Sequence, residues 1–152
     1  MHQVFISIGS NINPRHNIEK VKIILDDLFE CTYSSLFETA AEGFVGNKFI
    51  NCIVSFETDL LPKELRNKCK QVEKDMGRTE DQKGMSDRII DLDIILYGDQ
   101  VIKDDYFDIP SKDIDNCLFV LEPLAEIAGS LFHPVSNLSF SELLIAFKKN
   151  NR

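Results

Sequence analysis

The order of predicted strands and helices indicates an α+β fold, a ferredoxin-like βαββαβ sandwich with C-terminal additions. Two segments carry apolar residues at helical spacing, four strand-like segments flank them, and turn residues separate most of these elements. In the resulting order, two helices pack on an antiparallel sheet. The 152 residues suffice for one sizeable core, so we expect residues 1–152 to form a single domain.

The N-terminal segment predicts one strand followed by one helix. Apolar residues alternate over residues 3–8, as in a strand with one buried face, and Gly9 ends this pattern. Asn13 and Pro14 suit the N-cap and the first position of a helix. Apolar residues at helical spacing then continue, so we expect the helix to end near Phe29.

The middle of the chain predicts two strands. Residues 32–38 form the second strand, and a glycine-containing loop without periodicity follows from 39 to 48. Residues 49–58 alternate clearly and form the third strand. Its core face would carry Ile50, Cys52, Val54 and Phe56, and its other face Phe49, Asn51, Ile53 and Ser55.

The remaining segments predict a second helix, a fourth strand and a C-terminal extension. Apolar residues at helical spacing begin after Pro62 and stop at Gly77, a residue typical of helix ends. A polar loop leads into an aliphatic and β-branched run at residues 88–97. Beyond a short strand and two apolar segments, we expect a last helix over residues 140–147, capped by Ser139.

The composition disfavours nucleic acids and membranes as partners. A net charge of -8 and a pI of about 4.8 disfavour a nucleic-acid-binding surface, which needs basic patches. No apolar run reaches membrane-spanning length, and the N-terminus lacks a signal-peptide pattern. We therefore expect a cytoplasmic protein with no membrane or nucleic-acid partner. None of the four cysteines has metal-ligand spacing, and free thiols fit the reducing cytoplasm. They are Cys31, Cys52, Cys69 and Cys117.

Two carboxylates, Asp91 and Asp93, interrupt the apolar run of the fourth strand. Residues two apart in a strand share a face, so the two charges would repel, and burying either alone is costly. A shared cation would remove this conflict, and Mg²⁺ suits hard oxygen ligands that serve phosphates. The residues alone leave open a strand end where both aspartates reach water or pair with Arg88.

Asn51 is a second candidate for ligand binding. Asn is depleted in strands, and its amide offers both a donor and an acceptor, which suits a heterocycle with mixed edges. An exposed Asn on a half-solvated strand face is the alternative.

Five motifs in this order resemble the 6-hydroxymethyl-7,8-dihydropterin pyrophosphokinase (HPPK) family. The resemblance extends over nearly the whole chain. The matching motifs are the opening segment 6–11, the strand residues 49–51, Gly77-Arg78, Arg88-x-x-Asp91-Leu-Asp93, and the segment 119–124.

This resemblance implies an ATP-dependent pyrophosphokinase of folate biosynthesis. Such an enzyme transfers the β,γ-pyrophosphoryl group of ATP to the hydroxymethyl oxygen of a reduced pterin and releases AMP. The resemblance also implies two Mg²⁺ ions held by Asp91 and Asp93, because phosphoryl transfer depends on positioning and charge neutralisation. We expect a monomer whose substrates are the small molecules ATP and the pterin.

The family pattern implies a pterin-binding role for four residues. Asn51 would hydrogen-bond the edge of the pterin. Phe49 and Phe119 would stack on the two faces of its ring. Thr39 matches a threonine that contacts the pterin.

The resemblance implies a nucleotide-binding role for a different set of residues. Arg78 and Arg88 would contact phosphates and, with the two aspartates, form the catalytic set. Ser111 and Lys112 lie in the segment that matches the family's nucleotide-binding region. The polar, glycine-containing segment 80–84 beside Arg78 suits a lid that closes over ATP.

Several residues depart from the family pattern, mainly on the nucleotide side. Ser111 stands where typical members carry a phosphate-contacting histidine, Cys117 replaces a basic residue, and Glu80 replaces a second loop arginine. Lys83 and Lys112 are near enough in the sequence to compensate in part. These departures leave a second function open, namely a divergent HPPK relative that binds a pterin with weak or no transfer.

A third class is a metal-dependent nucleotidyl transferase or cyclase on a similar fold. Its carboxylates would normally come from different strands, whereas Asp91 and Asp93 share one. Release of AMP from ATP and the reduced pterin would separate an active pyrophosphokinase from a protein that only binds a pterin.

Overall fold

A computed structural model describes residues 1–40, 46–79 and 87–151. Its main sheet is antiparallel, with the strand order β2-β4-β1-β5 and β3 also paired to β4. These strands are β1 (His2–Ser10), β2 (Thr32–Tyr33), β3 (Phe37–Thr39), β4 (Phe49–Thr58) and β5 (Asp91–Tyr97). A small second sheet pairs β6 (Ile102–Lys103) with β7 (Asp108–Ile109). The helices are α1 (Pro14–Leu28), α2 (Pro62–Asp75), α3 (Asp113–Asn116), α4 (Leu118–Ala128) and α5 (Phe140–Asn150).

The predicted α+β class and the βαββαβ order are confirmed. The β2–β3 pair acts as the second strand of the pattern, β4 as the third and β5 as the fourth. In the part of the chain that the structure describes, no helix is long and apolar enough to cross a bilayer.

Apolar side chains cover both faces of the sheet. On one face, α1 and α2 pack on alternate residues of β1 and β4, and the buried set includes Val4, Ile6, Ile8, Ile18, Val21, Val54 and Leu65. On the other face, the C-terminal helices cover a second core that includes Phe5, Ile53, Ile95, Val120, Leu124 and Phe140. The C-terminal additions therefore form a third layer that closes the second face of the sheet.

The predicted second strand is divided by a side chain at Ser34. Its amide donates to the Ile53 carbonyl at 2.9 Å, and its hydroxyl oxygen accepts from the Ile53 amide at 2.8 Å. Because the hydroxyl takes the place of a main-chain carbonyl, regular pairing stops here. Pairing resumes at Phe37, so the continuous strand predicted over 32–38 is wrong in this detail.

The fourth strand differs from its prediction in start and register. It begins at Asp91 rather than at residue 88. The pairing of β5 with β1 shifts between Phe5 and Ile6, an irregularity that leaves Ile95 as an extra residue. Ile95 and Leu96 consequently both pack in the second core, whereas strict alternation would place them on opposite faces of the sheet.

The helix ends follow local sequence signals. Gly77 has a φ of 97°, a left-handed conformation that costs glycine little, just after α2. Ser139 caps α5 through a reciprocal pair of bonds with Glu142, as predicted. Asn13 occupies the N-cap position of α1, but its side chain makes no capping hydrogen bond.

Candidate active site

One row of residues across the sheet brings two candidate groups to the same face. In the register of β4, β1 and β5, Asn51 pairs with Gly9, and Gly9 pairs with Asp91. Directly paired residues point to the same face, so Asn51 and Asp91 face the same side with Gly9 between them. Neighbouring strands are about 4.8 Å apart, which separates the two backbones by roughly 10 Å.

The glycine in this row lies close beneath the Asn51 amide. A β-carbon at Gly9 would lie 3.0 Å from Asn51 Oδ1 and 3.8 Å from Phe49 Cδ1. The residue is therefore needed for close approach of these side chains. Asn51 is only 5% exposed, and its Nδ2 has no hydrogen-bond partner among the described residues. A buried donor without a partner is costly, so this amide is suited to a polar ligand edge.

Two further pterin-side candidates lie around this amide. Thr39 pairs with Phe49 in the β3–β4 ladder, at the end of β4 that carries Asn51. Phe119 lies in the first turn of α4, which packs on β3 and β4, and it is partly buried against the second core. The structure therefore collects Thr39, Phe49 and Asn51 at one end of β4, with Phe119 in the layer that covers this face.

Asp91 is held by two arginines. Its Oδ1 accepts from Arg78 Nη1 and its Oδ2 from Arg88 Nη1, each at 2.8 Å. The Arg78 and Arg88 side chains are only 14% and 19% exposed. The pairing with Arg88, raised from the sequence as an alternative to metal binding, is therefore present in the structure. Each carboxylate oxygen has a second lone pair, so this pairing does not exclude a cation.

A buried glutamate extends this charge network onto α2. Glu73 Oε2 accepts from Arg78 Nη1 at 2.8 Å and from the Leu92 amide at 2.7 Å, and Oε1 lies 3.4 Å from Lys70 Nζ. Burial raises the pKa of Glu73 above its usual value, although the Leu92 amide, Lys70 and Arg78 oppose this. Glu73 thus fixes β5 at the amide between the two aspartates.

The same network sets the charge state of Arg78. Burial disfavours its positive charge, but the negative charges of Glu73 and Asp91 raise the pKa of Arg78 above its usual value. Signs alternate along the network, in the order Lys70, Glu73, Arg78, Asp91 and Arg88. Every buried charge in this line therefore lies next to an opposite one.

Arg88 is positioned through its backbone by Asn11. The Asn11 side-chain oxygen accepts from the Arg88 amide at 2.7 Å, and the Asn11 amide donates to the Arg88 carbonyl at 3.1 Å. Asn11 Nδ2 also donates to Asp87 Oδ1 at 2.6 Å. Arg88 Nε is buried and has no partner among the described residues, so it offers a further donor on the site.

The electrostatic surroundings of Asp93 favour a cation that it shares with Asp91. It is accessible from a cleft, yet surrounding protein desolvates its carboxyl and Asp91 adds a like charge and a hydrogen bond, so its pKa rises to about 7. A cation between the two carboxylates would relieve this repulsion. Among the described residues, no three His, Cys, Asp or Glu side chains converge on one point. Mg²⁺ tolerates such a sparse set because water and phosphate oxygens complete its shell.

Asp93 borders a cleft of about 290 Å³ between α2, β5 and the segment 106–113. Ser111 lies on one wall, and its amide donates to the Ile95 carbonyl of β5 at 2.9 Å. Lys112 is exposed, and its amide donates to Asp108 Oδ2. In the described ranges, Ser111 and not Lys112 is among the residues that line this cleft.

The remaining residues predicted for the nucleotide side have different outcomes. The segment 80–84, which includes the substituted Glu80 and the compensating Lys83, lies outside the described residues. Cys117 ends α3, with its Sγ 3.8 Å from Asp113 Oδ1.

Comparison with known proteins decides the family. Residues 5–129 match the family model for 7,8-dihydro-6-hydroxymethylpterin-pyrophosphokinase (HPPK). The chain belongs to the HPPK family. The resemblance inferred from the five motifs is therefore confirmed.

The relatives of this HPPK chain include separate enzymes and parts of larger proteins. The 2-amino-4-hydroxy-6-hydroxymethyldihydropteridine pyrophosphokinases of Aquifex aeolicus and Haemophilus influenzae are 35% and 32% identical to it. The alignments cover 99% and 97% of this chain, and 93% and 94% of those proteins. The mitochondrial folate synthesis bifunctional protein of Pisum sativum is 36% identical over 84% of the chain, which corresponds to 25% of that protein.

Among the described residues, three charged side chains of α2 that border the candidate site were not predicted from the sequence. Arg66 and Lys70 line the cleft beside Asp93, and Glu73 holds the adjacent strand. Charged helix residues usually indicate a solvated face. Glu73 did carry a signal, because it lies four residues after Cys69 and eight after Leu65 on the apolar stripe. A charge on that stripe indicates a buried partner.

Proposed function

We propose that this protein transfers the β,γ-pyrophosphoryl group of ATP to 6-hydroxymethyl-7,8-dihydropterin in folate biosynthesis. The hydroxymethyl oxygen forms a bond to the β-phosphorus, the bond from that phosphorus to the α,β-bridging oxygen breaks, and AMP leaves. The hydroxyl proton passes to solvent. Membership of the HPPK family supports this reaction over the alternative of a relative without transfer activity.

The row Asn51–Gly9–Asp91 carries the proposal. It sets a buried amide with an unpaired donor roughly 10 Å across the sheet from a carboxylate. A flat heterocycle that is bound at the amide would extend over the glycine, and its substituent would then point towards the aspartates. This is the arrangement that a pyrophosphoryl acceptor requires, because the acceptor oxygen has to approach the phosphates.

The pterin would be held by shape and hydrogen bonds. Asn51 binds its polar edge, Phe49 and Phe119 stack on its faces, and Thr39 adds a contact at the end of β3. The Asn51 amide is nearly buried, which supports recognition through hydrogen bonds in a site without water. A neutral, fixed donor costs little reorganisation when the substrate binds.

The phosphates would be held by cations. Asp91 and Asp93 would hold two Mg²⁺ ions, which would supply neutralisation of phosphate charge and polarisation of the transferred group. Arg78 and Arg88 hold Asp91 and offer further donors to the phosphates. ATP occupies the cleft beside Asp93, next to Ser111, with Lys112 near its outer edge.

The wider setting of this activity is part of the same proposal. Residues 1–152 would act as one domain and as a monomer. The substrates are small molecules, with no nucleic acid or membrane partner, and the proposed location is the cytoplasm.

The decisive experiment is an assay of the purified protein with ATP, MgCl₂ and 6-hydroxymethyl-7,8-dihydropterin. Stoichiometric AMP and pyrophosphorylated pterin are expected. Folded protein that binds the pterin and releases no AMP would instead support the relative without transfer activity.

A further inference from the structure

The proposed nucleotide cleft carries positive charge on the wall that α2 forms. Three basic side chains expected from the family pattern are absent at positions 80, 111 and 117, where this chain has Glu80, Ser111 and Cys117. The opposite wall of the cleft is α2, and it presents Arg66 and Lys70. These residues are four apart, so they lie one above the other on one face of the helix.

Lys70 is able to reach a ligand in the cleft. Its side chain is 47% exposed, in contrast to 4% for Glu73, and its Nζ lies 3.4 Å from Glu73 Oε1. Glu73 keeps two shorter hydrogen bonds, from Arg78 and from the Leu92 amide, when Lys70 turns away. The lysine charge also reaches Asp93, because it opposes the rise in the pKa of that carboxyl.

Arg66 extends the positive wall by one helical turn. Its guanidinium carbon lies 5.4 Å from the centre of the Tyr106 ring. Tyr106 is presented by a turn in which Asp104 Oδ1 accepts from the amides of Tyr106 and Phe107, each at 2.8 Å. A stacked guanidinium loses some freedom but keeps its N–H groups, so it remains a donor to an anion in the cleft.

We propose that Lys70 and Arg66 bind the phosphates of the nucleotide from the α2 wall of the cleft. Lys70 lies closer to the aspartates and makes the stronger contact. The two residues supply charge that Ser111 and Cys117 do not. This inference rests on the proposed function for the identity of the nucleotide, but not on the rate of transfer.

The test measures the affinity of Mg-ATP by calorimetry in the absence of the pterin. Lys70→Met keeps the aliphatic stem and removes the charge, and we expect it to weaken Mg-ATP binding about 10-fold, the value of one hydrogen bond to a charged group. Lys70→Arg should stay near the wild type. Arg66→Leu should weaken binding less, by about 3-fold, because its charge is shared with the Tyr106 ring.

Lys68→Met is the matched control. Lys68 is exposed on the same helix but lines a groove between α1 and α2. It should bind Mg-ATP like the wild type, and the KM for the pterin should be unchanged in every variant. Lys70→Met with wild-type affinity, or an equal loss in Lys68→Met, would overturn the inference.

The assay separates this inference from the proposed function. Wild-type protein that binds Mg-ATP in a Lys70-dependent way but releases no AMP contradicts the function alone. AMP release that is insensitive to Lys70→Met, with unchanged Mg-ATP affinity, contradicts the inference alone. The midpoint of thermal unfolding of Lys70→Met should match that of the control, since Lys70 is half exposed.

Discussion

The proposed pterin side and the proposed nucleotide side of this site are built on opposite physical principles. On β4, a single neutral amide at Asn51 lies buried over Gly9, with one donor unpaired. Between α2 and β5, charges alternate along a line from Lys70 to Arg88, and each is paired with an opposite charge. A neutral site gains specificity from shape and a few hydrogen bonds, whereas a charged site gains strength from summed fields.

The two sides should differ in how well they tolerate amino-acid substitution. Charge can be moved from one wall of the nucleotide cleft to another, because electrostatic attraction acts over several ångströms. The Asn51 amide has no such substitute, because a hydrogen bond requires its donor at one distance and angle. We therefore expect departures from the family pattern to be tolerated better on the proposed nucleotide side.

The largest expected effect is at the aspartate pair. Asp93→Asn should lower the rate of AMP formation by about 10²–10³-fold, because a metal-binding charge facing the phosphates is lost. The free energy of unfolding in chelator should stay the same or rise at pH 8, since the repulsion from Asp91 is relieved. Urea unfolding and AMP release measure the two quantities.

Asp99→Asn is the control for this change, because Asp99 is exposed in the turn after β5. It should leave both quantities unchanged. Full activity of Asp93→Asn, or loss of its fold, would contradict a metal-binding role.

The next effect is confined to the pterin side. Asn51→Ala should weaken pterin binding about 10- to 100-fold and leave Mg-ATP affinity unchanged, because the lost amide faces only one substrate. Stability should change little, since Nδ2 has no partner among the described residues. Calorimetry with each substrate separates the two sides, and exposed Asn67→Ala is the control. A similar loss for both substrates would remove the distinction between the two sides.

A smaller effect is expected at Gly9, which lies between Asn51 and Asp91 in the sheet. Gly9→Ala would place a β-carbon 3.0 Å from Asn51 Oδ1, so the amide would shift and pterin affinity would fall by about 10-fold. The cost should shrink in the Gly9→Ala, Asn51→Ala double variant, because coupled residues are not additive. Additive losses in pterin affinity would show that Gly9 acts independently of the amide.

The smallest effect is a pH dependence of stability without metal. The pKa of Asp93 in the folded protein is about 7, above its value of 3.8 when unperturbed. The folded state therefore keeps this proton longer than the unfolded state, and the free energy of unfolding falls as pH rises from about 4 to about 7. Asp93→Asn should have a flatter profile over this range. Chemical unfolding in EDTA at several pH values measures the difference, and parallel profiles would contradict it.

The sequence predicted the scaffold well, for physical reasons, and it indicated candidate residues for the site. Alternation and helical spacing located the strands and helices, and the Asp91–Asp93 pair stood out because carboxylates are rare in apolar strands. The register shift at Ile95 was not predictable, since it depends on pairing with β1. The break at Ser34 depends likewise on a tertiary partner, Ile53.

Within the site, local patterns found single residues but not their connections. Asn11 was recognised within a motif, yet its bonds to the backbone of Arg88 join positions that are distant in the chain. Arg66 and Lys70 look like an ordinary solvated helix face until β5 and the segment 106–113 pack beside them. Such roles arise from packing, which one sequence does not display.

The hydrogen bond from Leu92 to Glu73 has a consequence for solubility. β5 is the border strand of the sheet, and border strands present unpaired main-chain groups to which other chains can add. Here the Glu73 carboxylate accepts a hydrogen bond from the Leu92 amide, and the Ser111 amide donates one to the Ile95 carbonyl. These two groups of the border strand are therefore already paired. The contacts that hold the aspartate end of the candidate site therefore also protect the sheet from self-assembly at its edge.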